Sequence, residues 1–134
     1  MAKFGRTSTK RLETCDEDLQ ELFQEVVKFF DCTIIEGHRD EATQNKYFDE
    51  GKSQVKYPNG KHNSSPSTAL DCAPYPIDWD DTKRFVYIAG IIKGIAYNMG
   101  IPITWGGDWN NDTLLSGKDP NQTFDDLVHF ELRF

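Results

Sequence analysis

The strongest constraint on the fold is an alternation along the chain between segments of helical periodicity and short segments of strand periodicity. The first helical segment, Thr14–Phe30, repeats apolar residues at i, i+3, i+4 and i+7, as an amphipathic helix does. Thr14 and Glu17 predict a capping box at its start. The same patterns predict two more helices and four strands. The helices are Glu41–Glu50 and Trp79–Met99; the strands are Cys32–Gly37, Thr68–Ala73, Ile101–Trp105 and Leu127–Phe134.

This order, with long Gly-, Pro- and Asn-rich loops between the elements, favours an α+β fold. We expect a small, mainly antiparallel sheet with helices packed on one side. The chain has 134 residues, which is the size of one compact domain, so residues 1–134 are predicted to form a single catalytic unit.

Composition excludes several function classes. The net charge is −7 and the Lys and Arg residues form no cluster, so nucleic-acid binding is not expected. No apolar run is long enough to span a membrane, and the first residues lack an apolar signal region. Three cysteines without CxxC spacing indicate free thiols in a reducing compartment rather than a disulfide framework.

Asp71 is the unusual residue of the predicted strand Thr68–Ala73, because it lies between Leu70 and Cys72 where a hydrophobic residue would be expected. Strand alternation puts Asp71 on the face opposite both neighbours. In the last strand, alternation likewise puts His129 and Glu131 opposite the apolar residues. His62, on the preceding loop, could reach the same place. Two histidines and a carboxylate are a common ligand set for catalytic zinc, although a surface histidine and a turn aspartate are the simpler interpretation of each residue alone.

Several longer motifs resemble the M15 family of zinc metallopeptidases. They are the KH…A-x-D pattern ending at Asp71, the D-x-x-H pattern from Asp126 to His129, and the segments FGRTS, IIEGHRDEATQ, GGDWN and HFEL. Their distribution over nearly the whole chain is most similar to the phage L-alanyl-D-glutamate endopeptidase (endolysin) branch. The resemblance implies a fold like that of Hedgehog and D,D-peptidase domains.

One position departs from the family pattern S-x-H-x-x-G-x-A-x-D. The histidine position is Ser64 here and the glycine position is Ser67, while His62 lies two residues earlier. A two-residue extension of the loop would still bring the imidazole to Asp71.

The resemblance also implies roles for individual residues. His62, Asp71 and His129 would hold Zn²⁺, Asp126 would be the general base, and Arg39 would stabilise the oxyanion or bind a substrate carboxylate. On sequence alone a surface salt bridge is an equally good interpretation of Arg39.

Asp126 raises a geometric question. It lies three residues before His129, so strict alternation would place their side chains on opposite faces of the strand. Asp126 must therefore precede the ladder, or a bulge must redirect it.

Further predictions concern the surroundings of the site. Asp108 either orients a ligand histidine or forms a tight turn with Trp109, and Glu131 is a candidate partner for His129. His38 is expected to be a loop or rim residue. The aromatic residues Tyr75, Trp79 and Trp105 are expected to pack, with one of them lining the cleft as an alternative. Acidic turns at 78–81 and 108–112 could bind calcium, but solvated turns are the better interpretation.

The sequence thus predicts a zinc peptidase acting on peptidoglycan stem peptides, most simply at the L-Ala–D-Glu bond. We expect a monomer made in the host cytoplasm and released to the cell wall, without membrane insertion. A D-Ala-D-Ala carboxypeptidase or dipeptidase on the same fold is one alternative, because ligands alone do not fix bond choice. A non-catalytic metal-binding virion protein is the other.

Overall fold

A computed structural model describes residues 1–133; only Phe134, the end of the last predicted strand, lies outside it. Within residues 1–133, four α-helices and four strands form an α+β domain, which is the fold class that the sequence predicts. The single sheet has the order β1-β2-β4-β3, and each neighbouring pair is antiparallel. The helices are α1 (Arg6–Leu12), α2 (Glu17–Phe29), α3 (Glu41–Asp49) and α4 (Thr82–Met99); the strands are β1 (Cys32–Glu36), β2 (Ala69–Pro74), β3 (Ile103–Gly106) and β4 (Asp126–Leu132).

Helix α1 was not predicted. Its sequence, RTSTKRL, buries only Ser8 and Leu12, so it carries too little apolar periodicity to be recognised. Its place is set by the edge of the sheet. The Ser8 hydroxyl accepts a hydrogen bond from the Ile34 amide (3.1 Å), and the Arg11 guanidinium donates to the Ile34 carbonyl (3.0 Å). The helix therefore satisfies backbone groups that an exposed edge strand would leave unpaired.

The predicted capping box at the start of α2 is wrong. The N-cap is Asp16, whose carboxylate accepts from the Asp18 amide, and the helix begins at Glu17. Thr14 lies before it, where its hydroxyl donates to the Arg11 carbonyl and accepts from the His38 amide. The residue directly before the helix thus does the capping, while Thr14 ties the chain to the loop after β1.

The hydrophobic core lies between the sheet and helices α2 and α4. Phe23 of α2 meets Phe130 of β4 edge to face, with ring centroids 5.7 Å apart. Helix α4 ends where Gly100 adopts a left-handed conformation (φ 73°), as the sequence predicts. Cys32 and Cys72 are buried free thiols in this core, as expected of small hydrophobic residues.

Strand pairing puts the polar residues of β2 and β4 together on the other face. Leu70 pairs with Phe130, and both are fully buried in the core. Asp71 pairs with His129, so alternation turns both away from α2 and α4.

The β3–β4 ladder is irregular at its end. Trp105 pairs with Phe130, but the next residue, Gly106, pairs with Asp126, so β4 carries extra residues at this point. Of the two explanations offered for Asp126, the structure therefore shows the bulge.

Candidate metal centre and active site

The side chains of His62, Asp71 and His129 converge. Nε2 of His62 lies 3.2 Å from Nδ1 of His129. Oδ1 of Asp71 is 3.3 Å from the His62 nitrogen and 3.5 Å from the His129 nitrogen. Within residues 1–133, these three are the one set of His, Cys, Asp and Glu side chains with a geometry that could hold a metal ion.

Each histidine is oriented by a hydrogen bond from its other ring nitrogen. Nδ1 of His62 is 2.7 Å from the Gly37 carbonyl, and Nε2 of His129 is 2.8 Å from a carboxylate oxygen of Glu131. Both outer nitrogens must carry the proton, because carbonyl and carboxylate oxygens only accept. The two inner nitrogens therefore present lone pairs to each other and to Asp71.

Three electron-rich atoms facing one another need a cation between them. Oδ1 of Asp71 is buried and has no hydrogen-bond partner among the described residues, which is costly for a carboxylate oxygen. Zinc bonds of about 2.0–2.1 Å, arranged tetrahedrally, separate ligand atoms by about 3.3–3.4 Å. The measured separations of 3.2, 3.3 and 3.5 Å fit this value, so the donors suit a tetrahedral ion with one position left open.

Without a metal, a proton takes the place of the cation. Burial would raise the pKa of Asp71, but its contacts with His129 and His62 outweigh burial and hold that pKa below its usual range. Burial would lower the pKa of His129, yet its 3.5 Å contact with the Asp71 carboxylate and its hydrogen bond to Glu131 raise that pKa to about 9. A metal ion entering the cluster must therefore displace a proton at neutral pH.

Asp126 lies at the bulged start of β4 and lines the same cavity as the cluster. Burial raises the pKa of its carboxyl, and the negative charge of Asp71 raises it further. A half-buried carboxyl with a raised pKa beside a ligand cluster has the properties of a general base.

Arg39 is fixed beside Asp71 by contacts on all sides. Its guanidinium forms an ion pair with Glu36 and lies 3.6 Å from Oδ2 of Asp71. It also donates to the Gln44 side chain (3.0 Å) and sits over the Tyr47 ring, 4.7 Å from its centroid. Arg39 thus does form a salt bridge, but in the cleft rather than on the surface, because its side chain is only 10% exposed.

Sequence reasoning missed Gln44, which is fully buried in α3. Its amide nitrogen donates to the Ser53 hydroxyl and the Val55 carbonyl (2.9 and 2.6 Å). Its oxygen accepts from Arg39 and from Asn63, the residue after His62. The only signal in the sequence would have been a glutamine on the inner side of a short polar helix.

The structure also separates Asp108 from the cluster. Its carboxylate accepts from the backbone amides of Thr113 (2.8 Å) and Asp112 (3.3 Å), so it organises the 108–113 turn. The suggested contact between Asp108 and a ligand histidine is absent from the hydrogen bonds of residues 1–133. Trp109 lies there instead, with its ring centroid 5.3 Å from that of His129.

The histidine that departs from the family spacing is the one that reaches the cluster. A single turn of 3₁₀ helix, Lys61–Asn63, carries His62. Ser64, at the family position, is exposed and donates to the Pro66 carbonyl. His38 is an exposed residue of the loop after β1, as one of the two expectations had it, with Nδ1 2.9 Å from the Ser64 carbonyl.

The cluster opens into a cavity of about 600 Å³. Arg39, Asp126 and Trp109 contribute to its walls, as does Trp79, which is 60% exposed. Trp105 is buried and does not line it. The cavity is large enough for a few residues of a peptide.

Comparisons with known proteins identify the family and the fold. The family model of phage L-alanyl-D-glutamate peptidases matches residues 1–133. The L-alanyl-D-glutamate peptidase of Escherichia phage T5 is 32% identical over 113 residues, covering 81% of this chain and 82% of that protein. The crystal structure of the L-Ala D-Glu endopeptidase ChiX from Serratia marcescens has the same fold, with a TM-score of 0.77 and 24% identity over 98% of this chain and 90% of ChiX.

The fold and the family match define a peptidase that acts on peptidoglycan. More narrowly, the chain belongs to the phage L-alanyl-D-glutamate peptidase family. The predicted M15-type phage endopeptidase and its α+β fold are thereby confirmed.

Proposed function

We propose that this protein is a zinc-dependent endopeptidase that hydrolyses the L-Ala–D-Glu bond of peptidoglycan stem peptides. The observation that carries the proposal is the convergence of one carboxylate oxygen and two imidazole nitrogens within 3.5 Å of one another. The family match favours this bond over the D-Ala-D-Ala alternative.

His62, Asp71 and His129 would hold the ion. When bound, zinc supplies a Lewis acid that makes water a nucleophile near neutral pH. The protein fixes the ligand geometry through Gly37 and Glu131, which set the tautomer of each ring.

Asp126 would take the proton from the attacking water and return it to the leaving amine of the D-Glu residue. Its raised pKa suits this exchange, because a base that is too weak would not accept the proton and one that is too strong would not release it. A positioned acid–base group of this kind contributes about 10²–10⁴-fold in rate.

Arg39 would stabilise the negative charge that develops on the scissile carbonyl oxygen, or bind a substrate carboxylate. Its contacts with Glu36 and Tyr47 hold the guanidinium in place before substrate arrives. Such preorganised charge is worth more in a cleft than in water.

The test is digestion of purified peptidoglycan with the zinc content of the protein measured in parallel. We expect about one zinc per chain, release of fragments whose masses place the cut between L-Ala and D-Glu, and loss of release with a chelator. Cleavage at D-Ala-D-Ala would support the carboxypeptidase alternative. Bound zinc without any release would support the non-catalytic virion protein.

The site of action follows from this activity. We propose synthesis in the host cytoplasm as a monomer and action on the wall after release. No helix within residues 1–133 is long and apolar enough to cross a bilayer.

A further inference from the structure

The two ends of the active-site cavity differ in chemistry. Beside β1 the wall carries two cationic side chains, each paired with a carboxylate. Arg39, ion-paired with Glu36, lies over the Tyr47 ring at 4.7 Å. The Lys52 ammonium, 3.3 Å from a carboxylate oxygen of Glu50, lies 5.8 Å from the centroid of the same ring. Both cationic side chains line the cavity. Strand β1 is an edge of the sheet, and its neighbour β2 carries Asp71. This wall therefore lies on the Asp71 side of the cluster.

On the β4 side the wall is aromatic. Trp79 lines the main cavity and also a smaller one of about 210 Å³, whose other lining residues are Phe85 and residues 125–128 at the start of β4. Phe85 covers one face of the indole, with ring centroids 5.6 Å apart and planes 21° from parallel. An indole that is backed by a buried ring yet 60% exposed is a fixed, open platform beside Asp126.

The substrate of the proposed reaction has a matching asymmetry. On the amine side of the scissile bond, the D-Glu residue carries a free carboxylate, which suits the wall formed by Arg39 and Lys52. On the acyl side, peptidoglycan continues from L-Ala into the lactyl group of a neutral N-acetylated sugar. Pyranose rings present C–H faces that pack on aromatic rings, and the acyl side must then point towards Trp79.

We infer that Trp79 is a saccharide platform that binds the amino sugar attached to L-Ala, so that the enzyme recognises glycan-linked stems in preference to free peptides. This inference rests on the proposed function. It makes Trp79 a specificity-determining residue rather than one that takes part in bond cleavage.

The test compares two substrates that differ only in the sugar: a disaccharide-tetrapeptide and the same tetrapeptide with an N-lactyl group on L-Ala and no sugar. The quantity measured is kcat/KM for the disaccharide-tetrapeptide divided by kcat/KM for the substrate without sugar. Trp79→Ala should lower this ratio about tenfold, and Trp79→Phe should lower it less because an aromatic face remains. Tyr97→Ala is the matched control, since Tyr97 is a 90% exposed aromatic residue on α4 and lines neither cavity. Equal losses on both substrates, or no loss on either, would overturn the inference.

A binding measurement separates this inference from the proposed function. The peptide-free disaccharide, titrated into the zinc-loaded protein, should shift the NMR resonance of the Trp79 indole N–H, assigned by its absence in Trp79→Phe. If the shift is present but the wild-type protein cleaves neither substrate, the peptidase function is rejected and the saccharide platform stands. Absence of the shift would reject the platform whatever the activity.

Discussion

At the scale of single residues, the site depends on which ring nitrogen each histidine directs inwards. Gly37 and Glu131 decide this by accepting from the outer nitrogens of His62 and His129. Alternation along β4 places Glu131 on the same face as His129, so this partner was visible in the sequence. The carbonyl of Gly37 was not, because a backbone acceptor leaves no mark on residue type.

Glu131→Gln should weaken zinc binding about 10–100-fold, because a neutral amide orients and polarises the His129 ring less well than a carboxylate. Competition with a chromophoric chelator measures the affinity. Glu25→Gln is the matched control, since Glu25 pairs with Lys28 on the exposed face of α2. Unchanged zinc affinity in Glu131→Gln would show that the 2.8 Å contact has no part in metal binding.

The raised pKa of His129 predicts a pH dependence for the metal-free protein. Burial opposes the charge, but Asp71 and Glu131 raise the pKa from 6.5 to about 9. The folded state therefore binds this proton more tightly than the unfolded chain, and the resulting stability is complete below about pH 6.5 and is lost as the pH rises to about 9.

Urea unfolding of chelated protein should accordingly show a midpoint that falls from pH 6.5 to pH 9. Zinc competes with the same proton, so zinc affinity should rise over this interval. His38→Asn, which removes an exposed histidine of the loop after β1, should leave both trends intact. A midpoint for the chelated wild type that does not change with pH would contradict the prediction.

At the scale of elements, three short segments complete the site around the β2–β4 pair. The 3₁₀ turn Lys61–Asn63 brings His62, the bulge in β4 redirects Asp126, and α3 holds Arg39 through Gln44. Each is fixed by contacts with residues distant in sequence. None carries a periodic pattern of its own. The sequence therefore predicted that these segments are loops or short helices, but not the contacts that hold them in place.

Gln44→Leu should lower the free energy of unfolding by about 1–3 kcal/mol, because the Val55 carbonyl and the buried Asn63 amide would each lose one hydrogen bond. It should also lower kcat, since Arg39 would lose one of the contacts that fix its guanidinium. Urea unfolding and initial rates on a stem peptide measure the two effects. Lys46→Leu, on the exposed side of α3, is the control expected to change neither; equal values for both variants would remove Gln44 from the network.

At the scale of the whole molecule, the net charge of −7 bears on how the enzyme meets its substrate. Peptidoglycan carries free carboxylates, so protein and wall repel each other at low ionic strength. Screening shortens this repulsion from a Debye length of about 30 Å at 0.01 M salt to about 8 Å at 0.15 M.

The rate of release from intact sacculi should therefore rise between these two salt concentrations. Release of soluble product, measured by its amine groups, gives the rate. A short stem peptide at saturating concentration is the control, because its turnover does not depend on encounter with a charged surface. A rate on sacculi that falls with salt would show that the cationic wall at Arg39 and Lys52 dominates the approach instead.

The periodic parts of the sequence determined the class of fold and the chemical nature of the site. Amphipathic periodicity located α2 and α4, and strand alternation put Asp71 and His129 on the faces away from the core, because both patterns are local consequences of backbone geometry. Tertiary structure alone decided that β2 pairs with β4 in the register that places Asp71 opposite His129. It also decided the place of α1 and the burial of Gln44, since both result from hydrogen bonds between residues far apart in sequence, which no local pattern records. For Asp126 the local spacing left two alternatives, and the pairing of β3 with β4 selected the bulge.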